Sequence, residues 1–191
     1  MTIPNNFTAS QPLTEEQESM MSMLLDHAKK IREGYGYSGD EKMVPMAFIY
    51  GDEGNQIVAM GWKNDREKYL QAVNMNMMAR KAKAKTLSLV TDTRWVNGET
   101  FAHYFNLGDI KDFEKFHANY HRILNEHGGE IKNLPRVLWK EAVIVVTNGP
   151  NLPLNVKMAT YEEGEIDTIR WLPEEIPADG FKSDLLKDWW K

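Results

Sequence analysis

Glu114, His117 and His121 are spaced three and four residues apart, so on a helix they share one face. Glu-x-x-His and His-x-x-x-His each place two ligands within reach of one metal ion. His103, or Asp92 before it, could supply a further ligand. Three protein ligands with an open water position make a hydrolytic centre. A simpler account covers the same residues. At about 100° per residue, His117 falls inside the apolar stripe of Phe113, Phe116, Tyr120 and Leu124, as a half-buried histidine would. Glu114 and His121 then sit on its rim, where solvated polar groups belong. The His-Glu-x-x-His pattern of metalloproteases is absent. The expectation is no bound metal and no cofactor. A metal-dependent hydrolase built on Glu114, His117 and His121 is the alternative.

A second group, Asp92, Arg94, Glu99 and His103, surrounds Asn97-Gly98. If that dipeptide makes a tight hairpin turn, acid, base and cation gather on one sheet face, and Asp92, Glu99 and His103 become catalytic candidates. Structural pairing across the strands explains the same residues. A third group is basic: Arg80, Lys81, Lys83 and Lys85, preceded by Lys63, Arg66 and Lys68. A nucleic-acid surface needs such cations interleaved with aromatic or groove-reading side chains, and few aromatics lie near these. A solvated helix end, where the dipole favours cations, is the expected role. No phosphate-binding loop, dinucleotide fingerprint or nucleophile elbow occurs; the glycine-rich run at 34–39 follows a helix rather than a strand. Tyr35 and Tyr37 in that run, and Trp189 and Trp190 near the C-terminus, lie off the core pattern. They are the binding candidates, although terminal tryptophans also dock onto their own domain.

These groups must be positioned by a chain of 191 residues with net charge −5 and no cysteine. The absence of cysteine excludes disulfides, thiolate metal sites and cysteine nucleophiles, and agrees with a reducing, cytoplasmic setting. The charge balance supplies no global attraction to nucleic acid or to an anionic membrane. No apolar run is long enough to span a bilayer. Residues 1–12 read as a flexible arm, polar and broken by Pro4 and Pro12, and residues 13–191 as one domain. The eleven methionines read as adaptable core filler, or alternatively as a plastic binding surface.

Thr14 and Gln17 form a capping box at the start of the first helix, whose stripe is Met21, Leu24, Leu25, Ala28 and Ile31. Apolar runs at 46–50 and 57–62 flank a Gly51-Asp52-Glu53-Gly54 turn and predict a hairpin. Asn64 with Glu67 caps a second helix, with Leu70, Val73 and Met77 as its buried face. A strand at 86–96 alternates Leu87, Leu89, Thr91, Thr93 and Trp95 against Ser88, Val90, Asp92, Arg94 and Val96. After Asn97-Gly98, residues 99–105 are expected to return as a strand. A third helix over 110–127 follows, then an unbroken apolar strand over 137–147 with Val143 and Val145 buried on both faces. A second hairpin turns around Glu162-Glu163-Gly164. Hairpins outnumber possible parallel crossovers, which predicts an α+β fold with an antiparallel or mixed sheet of about five to seven strands and helices packed on it.

The run Val44-Pro45-Met46-Ala47-Phe48, the Asp52-Glu53-Gly54 turn, the capped helix and the strand ending Thr91-Asp92-Thr93-Arg94-Trp95 resemble small conserved hypothetical proteins of bacteria and phages. The element order is also similar to profilin-like and roadblock-like folds. Neither resemblance implies an activity. The functional expectation is a non-enzymatic binding or interaction protein, a bacterial or phage accessory factor whose partner is a protein rather than nucleic acid or membrane. A metal-dependent hydrolase and a small-ligand sensor are the alternatives.

Overall fold

The computed structural model describes residues 14–35, 42–108, 110, 112–150, 152–164 and 168–173. The arm expected at 1–12, Tyr37, and the C-terminal segment with Trp189 and Trp190 lie outside the described residues.

Helix α1 spans Glu15–Tyr35. It starts at the expected box: the Gln17 N–H donates to Thr14 Oγ1, and the Thr14 N–H donates to Gln17 Oε1. Strands β1 (Met46–Gly51) and β2 (Gln56–Ala59) form the first hairpin. Helix α2 covers Asp65–Lys81. The Glu67 N–H donates to Asn64 Oδ1 at 3.0 Å, and the Glu67 carboxylate accepts the Lys63 N–H at 2.7 Å, so two donors at the helix start are satisfied reciprocally. Strand β3 follows at Ala84–Val96.

The chain then departs from expectation. Gly98–Tyr104 is helix α3, not a returning strand. Asn97 does not turn a hairpin; its Oδ1 accepts the Thr100 N–H at 3.0 Å and caps the helix. Phe101, Ala102 and Phe105 follow at helical spacing, so a helix buries the first two and packs the half-buried Phe105 against the same core. A strand would have placed His103 on the same face as Phe101 and Phe105. Helix α4 (Phe113–Glu126) and two single 3-10 turns, Ile131–Asn133 and Arg136–Leu138, lead to β4 (Trp139–Gly149). Strands β5 (Leu152–Glu163) and β6 (Ile169–Trp171) follow.

Among the described residues, six strands form one antiparallel sheet in the order β2-β1-β3-β4-β5-β6, an α+β fold of the expected class. β3 and β4 lie at its centre. Val143 and Val145 face α1 together with Val90, Ala159 and Tyr161. Ile144 and Val146 face the α2 side with Leu87, Leu89, Met75 and Ala79. The continuous apolar run of β4 is thus explained by helices on both faces of the sheet. At the far end of β3 and β4, α3, α4 and the 3-10 turns enclose a third core around Phe101, Ile123, Leu134 and Leu138. No helix among the described residues is long and apolar enough to cross a membrane.

Candidate functional site

Asp92 and Arg94 project from β3 to the α1 side, into a buried ionic cluster. Arg32, in the last turns of α1, is 2% exposed and places Nη1 3.6 Å from Asp92 Oδ2. The Met43 N–H donates to the same carboxylate oxygen at 2.7 Å. Arg94 Nε donates to Glu141 Oε1 at 3.0 Å. The Arg32 guanidinium lies 5.7 Å from the Tyr161 ring centre, and Arg94 and Arg136 flank the Trp139 ring at 5.5 and 4.1 Å. A cavity of only about 10 Å³ adjoins Arg32, Asp92, Arg94, Glu141 and Tyr161, room for one water at most. Burial raises the pKa of Asp92 above its ordinary value, against the opposing pull of the Met43 N–H, Arg32 and Lys42. Burial, helped by the charge on Asp92, also holds the Tyr161 phenol well above its ordinary range. The cluster ties α1 and the segment entering β1 to the sheet, and has no room for a substrate.

The other members of that expected group go elsewhere. Glu99 and His103 ride on α3, beside a shallow depression of about 320 Å³ shared with Asn106 and Ile110. They are separated from Asp92 because residues 98–104 coil instead of returning along β3. The second sequence candidate is therefore two unrelated pairs.

On α4 the spacing argument holds for the two histidines. Their Nε2 atoms lie 3.1 Å apart, hydrogen-bond distance. His117 is exposed, not inside the stripe. The buried residue is Ile123, which draws the stripe towards Phe116, Tyr120 and Leu124 and leaves His117 on its rim. Among the described residues, no three His, Asp or Glu side chains converge on one metal-sized position, so Glu114 does not join the two rings.

Tyr35 closes α1 and is exposed. Among the described residues, two apolar surfaces stand out. One is a groove of about 530 Å³ between α1 and the β1–β2 hairpin, with Met20, Met23 and Leu24 as wall and Phe48, Tyr50 and Ile57 as floor. It exists because α1 lies mainly over β3, β4 and β5 and leaves the β1–β2 hairpin only partly covered.

The other surface is the outer side of α2. Met75 and Ala79 pack on the sheet with Ala72 and Met78 beside them. Leu70 and Met77, expected to be buried, are 50% and 64% exposed, Tyr69 is 68% exposed, and Val73 is half-buried. The helix carries apolar residues on two sides, and the small residues Ala72 and Ala79 let it approach the sheet on the side that the Leu70 spacing does not mark. Basic residues crowd both of its ends. Lys83 and Lys85 pair with Glu53 and Asp52 at the β1–β2 turn, whereas Lys63, Arg66, Arg80 and Lys81 border the exposed stripe. Comparison with protein-family models, with curated proteins and with solved structures gave no match.

Proposed function

We propose that this protein is a non-catalytic interaction protein that docks a partner protein on the outer face of α2. One observation carries the reading: Tyr69, Leu70, Val73 and Met77 form a continuous apolar stripe on the solvent side of a helix whose opposite side already fills the core. Single exposed apolar residues are ordinary on any surface, but a stripe at helical spacing is not. Tyrosine contributes large contact area at small entropic cost, and methionine adapts to an uneven partner. A chain without cysteine suits the cytoplasm. A photoreactive amino acid placed at Met77, and separately at the exposed Tyr104 of α3 as control, tests this in the native cell. Crosslinks to one protein from position 77 and none from 104 are expected. Equal or absent crosslinking from both sinks the reading.

A small-ligand sensor is the second reading, favoured by the α1–hairpin groove. Its volume lies within the usual range of ligand sites, and a few polar groups, Gln17, Asn55 and Lys85 among them, border an apolar body. A co-purified small molecule in the native mass spectrum, lost in Ile57→Trp, would favour it; a bare chain would count against it.

A further inference from the structure

We infer that the partner element received by α2 is an amphipathic helix with acidic flanks. This rests on the reading of α2 as the docking face and adds the chemistry of what docks there. Arg66, Leu70, Val73, Met77 and Arg80 succeed one another at steps of four, three, four and three residues. That is the seam by which one helix packs along another, with apolar knobs in the middle turns. An extended peptide, whose side chains repeat every two residues, cannot match this spacing. Arg66 to Arg80 covers about 21 Å of helix axis, and only three seam positions are apolar. Contact this short needs a further attraction to hold a partner.

Charge supplies it. Between Lys63 and Lys85 the chain has seven Lys or Arg against two Asp or Glu, in a protein whose net charge is −5. Lys83 and Lys85 are engaged by Glu53 and Asp52, and Glu67 is engaged in the N-terminal cap. Positive charge borders the stripe at its two ends, with Lys63 and Arg66 at the start of the helix and Arg80 and Lys81 at its end, whereas Lys68 lies on the side of α2 that carries Ala72 and Met75. A second copy of the same helix would bring Arg66 against Arg80 or against itself, like charge on like. Glu or Asp on either side of an apolar seam meets both basic ends at once, which speeds encounter and sets orientation.

Three fluorescein-labelled peptides of equal length test this on the full chain. The first carries leucine at the seam positions and glutamate beside them; the second replaces glutamate by lysine; the third keeps the first composition with the leucine spacing scrambled. Saturable binding of the first is expected, at least tenfold tighter than either other peptide. It should weaken tenfold or more between about 50 and 300 mM salt and be lost in the double variant Leu70→Ser with Met77→Ser, whose sites are exposed. Equal binding of the glutamate and lysine peptides, both abolished by that variant, would overturn the acidic partner and leave α2 as a docking face. Binding of the glutamate peptide that survives the variant would overturn the inference. So would sedimentation as a dimer that the variant dissociates, or binding of single-stranded DNA in preference to every peptide.

Discussion

Met75 and Met77 are two positions apart on α2 and lie on opposite sides of it: Met75 is 1% exposed against the sheet, and Met77 is 64% exposed to solvent. Two residues advance a helix by about 200°, so residues of the same type meet the core and the solvent. This division of α2 separates stability from recognition, and the two can be measured apart.

Met75→Ala removes buried methylenes and leaves a cavity between α2 and the sheet, which should cost about 2–5 kcal/mol. Leu70→Ala and Met77→Ala should each change stability by less than about 1 kcal/mol. Urea unfolding of the three variants checks this. A Leu70→Ala cost equal to that of Met75→Ala would mean the outer face is covered by the chain itself.

Ser88 and Thr147 join β3 to β4 through a hydroxyl pair at 2.7 Å, both side chains fully buried. Ser88→Ala or Thr147→Val alone leaves the other hydroxyl without its partner and should cost about 1–3 kcal/mol. The double variant should cost less than the sum, because no orphaned group remains. Strict additivity in the double-mutant cycle would show that each hydroxyl has another partner.

Asp92 has its pKa raised in the folded protein, chiefly by burial. The folded state therefore binds its proton more tightly than the unfolded chain does. Its contribution is most favourable below the unfolded value of about 3.9 and is lost as pH rises through the folded value. The stability of the wild type relative to Asp92→Asn should accordingly fall as pH rises from about 4 to 7. Denaturant melts of both proteins at several pH values give the slope. A difference that rises with pH would mean that pairing with Arg32 outweighs burial.

Gly51 ends β1 where the backbone of α2's exit passes close by; a Cβ there would collide with the Ala82 carbonyl oxygen and the Ala84 Cα. Gly51→Ala should cost about 1–3 kcal/mol, seen as a lower melting temperature. Gly34, in the last turn of α1, has nothing within 4 Å of such a Cβ. Gly34→Ala should be neutral or raise stability by up to about 1 kcal/mol through helix propensity. A reversed order of the two melting temperatures would contradict the close approach at Gly51.

What the amino-acid sequence determined by itself is what neighbours along the chain control. The box at Thr14, the cap at Asn64, the hairpin around residues 51–54 and the alternation of Leu87 and Leu89 against Ser88 and Val90 depend on side chains a few residues apart. So did the double burial of β4, because an apolar run with no polar face has nowhere else to go. Three features were decided only by tertiary structure. Asn97-Gly98 suits a turn and a cap equally well, and the third core, offering Phe101 and Phe105 a place beside Ile123 and Leu138, selects the cap. Asp92 takes its character from Arg32, sixty residues earlier; Arg32 follows Ala28 by four residues on the buried side of α1, but its spacing does not say which strand residue it meets. α2 carries two apolar sides, but a sheet can cover only one, and the close approach permitted by Ala72 and Ala79 settles which. Periodicity reports that a helix has an apolar side; it contains no term for the shape of the surface that side must meet.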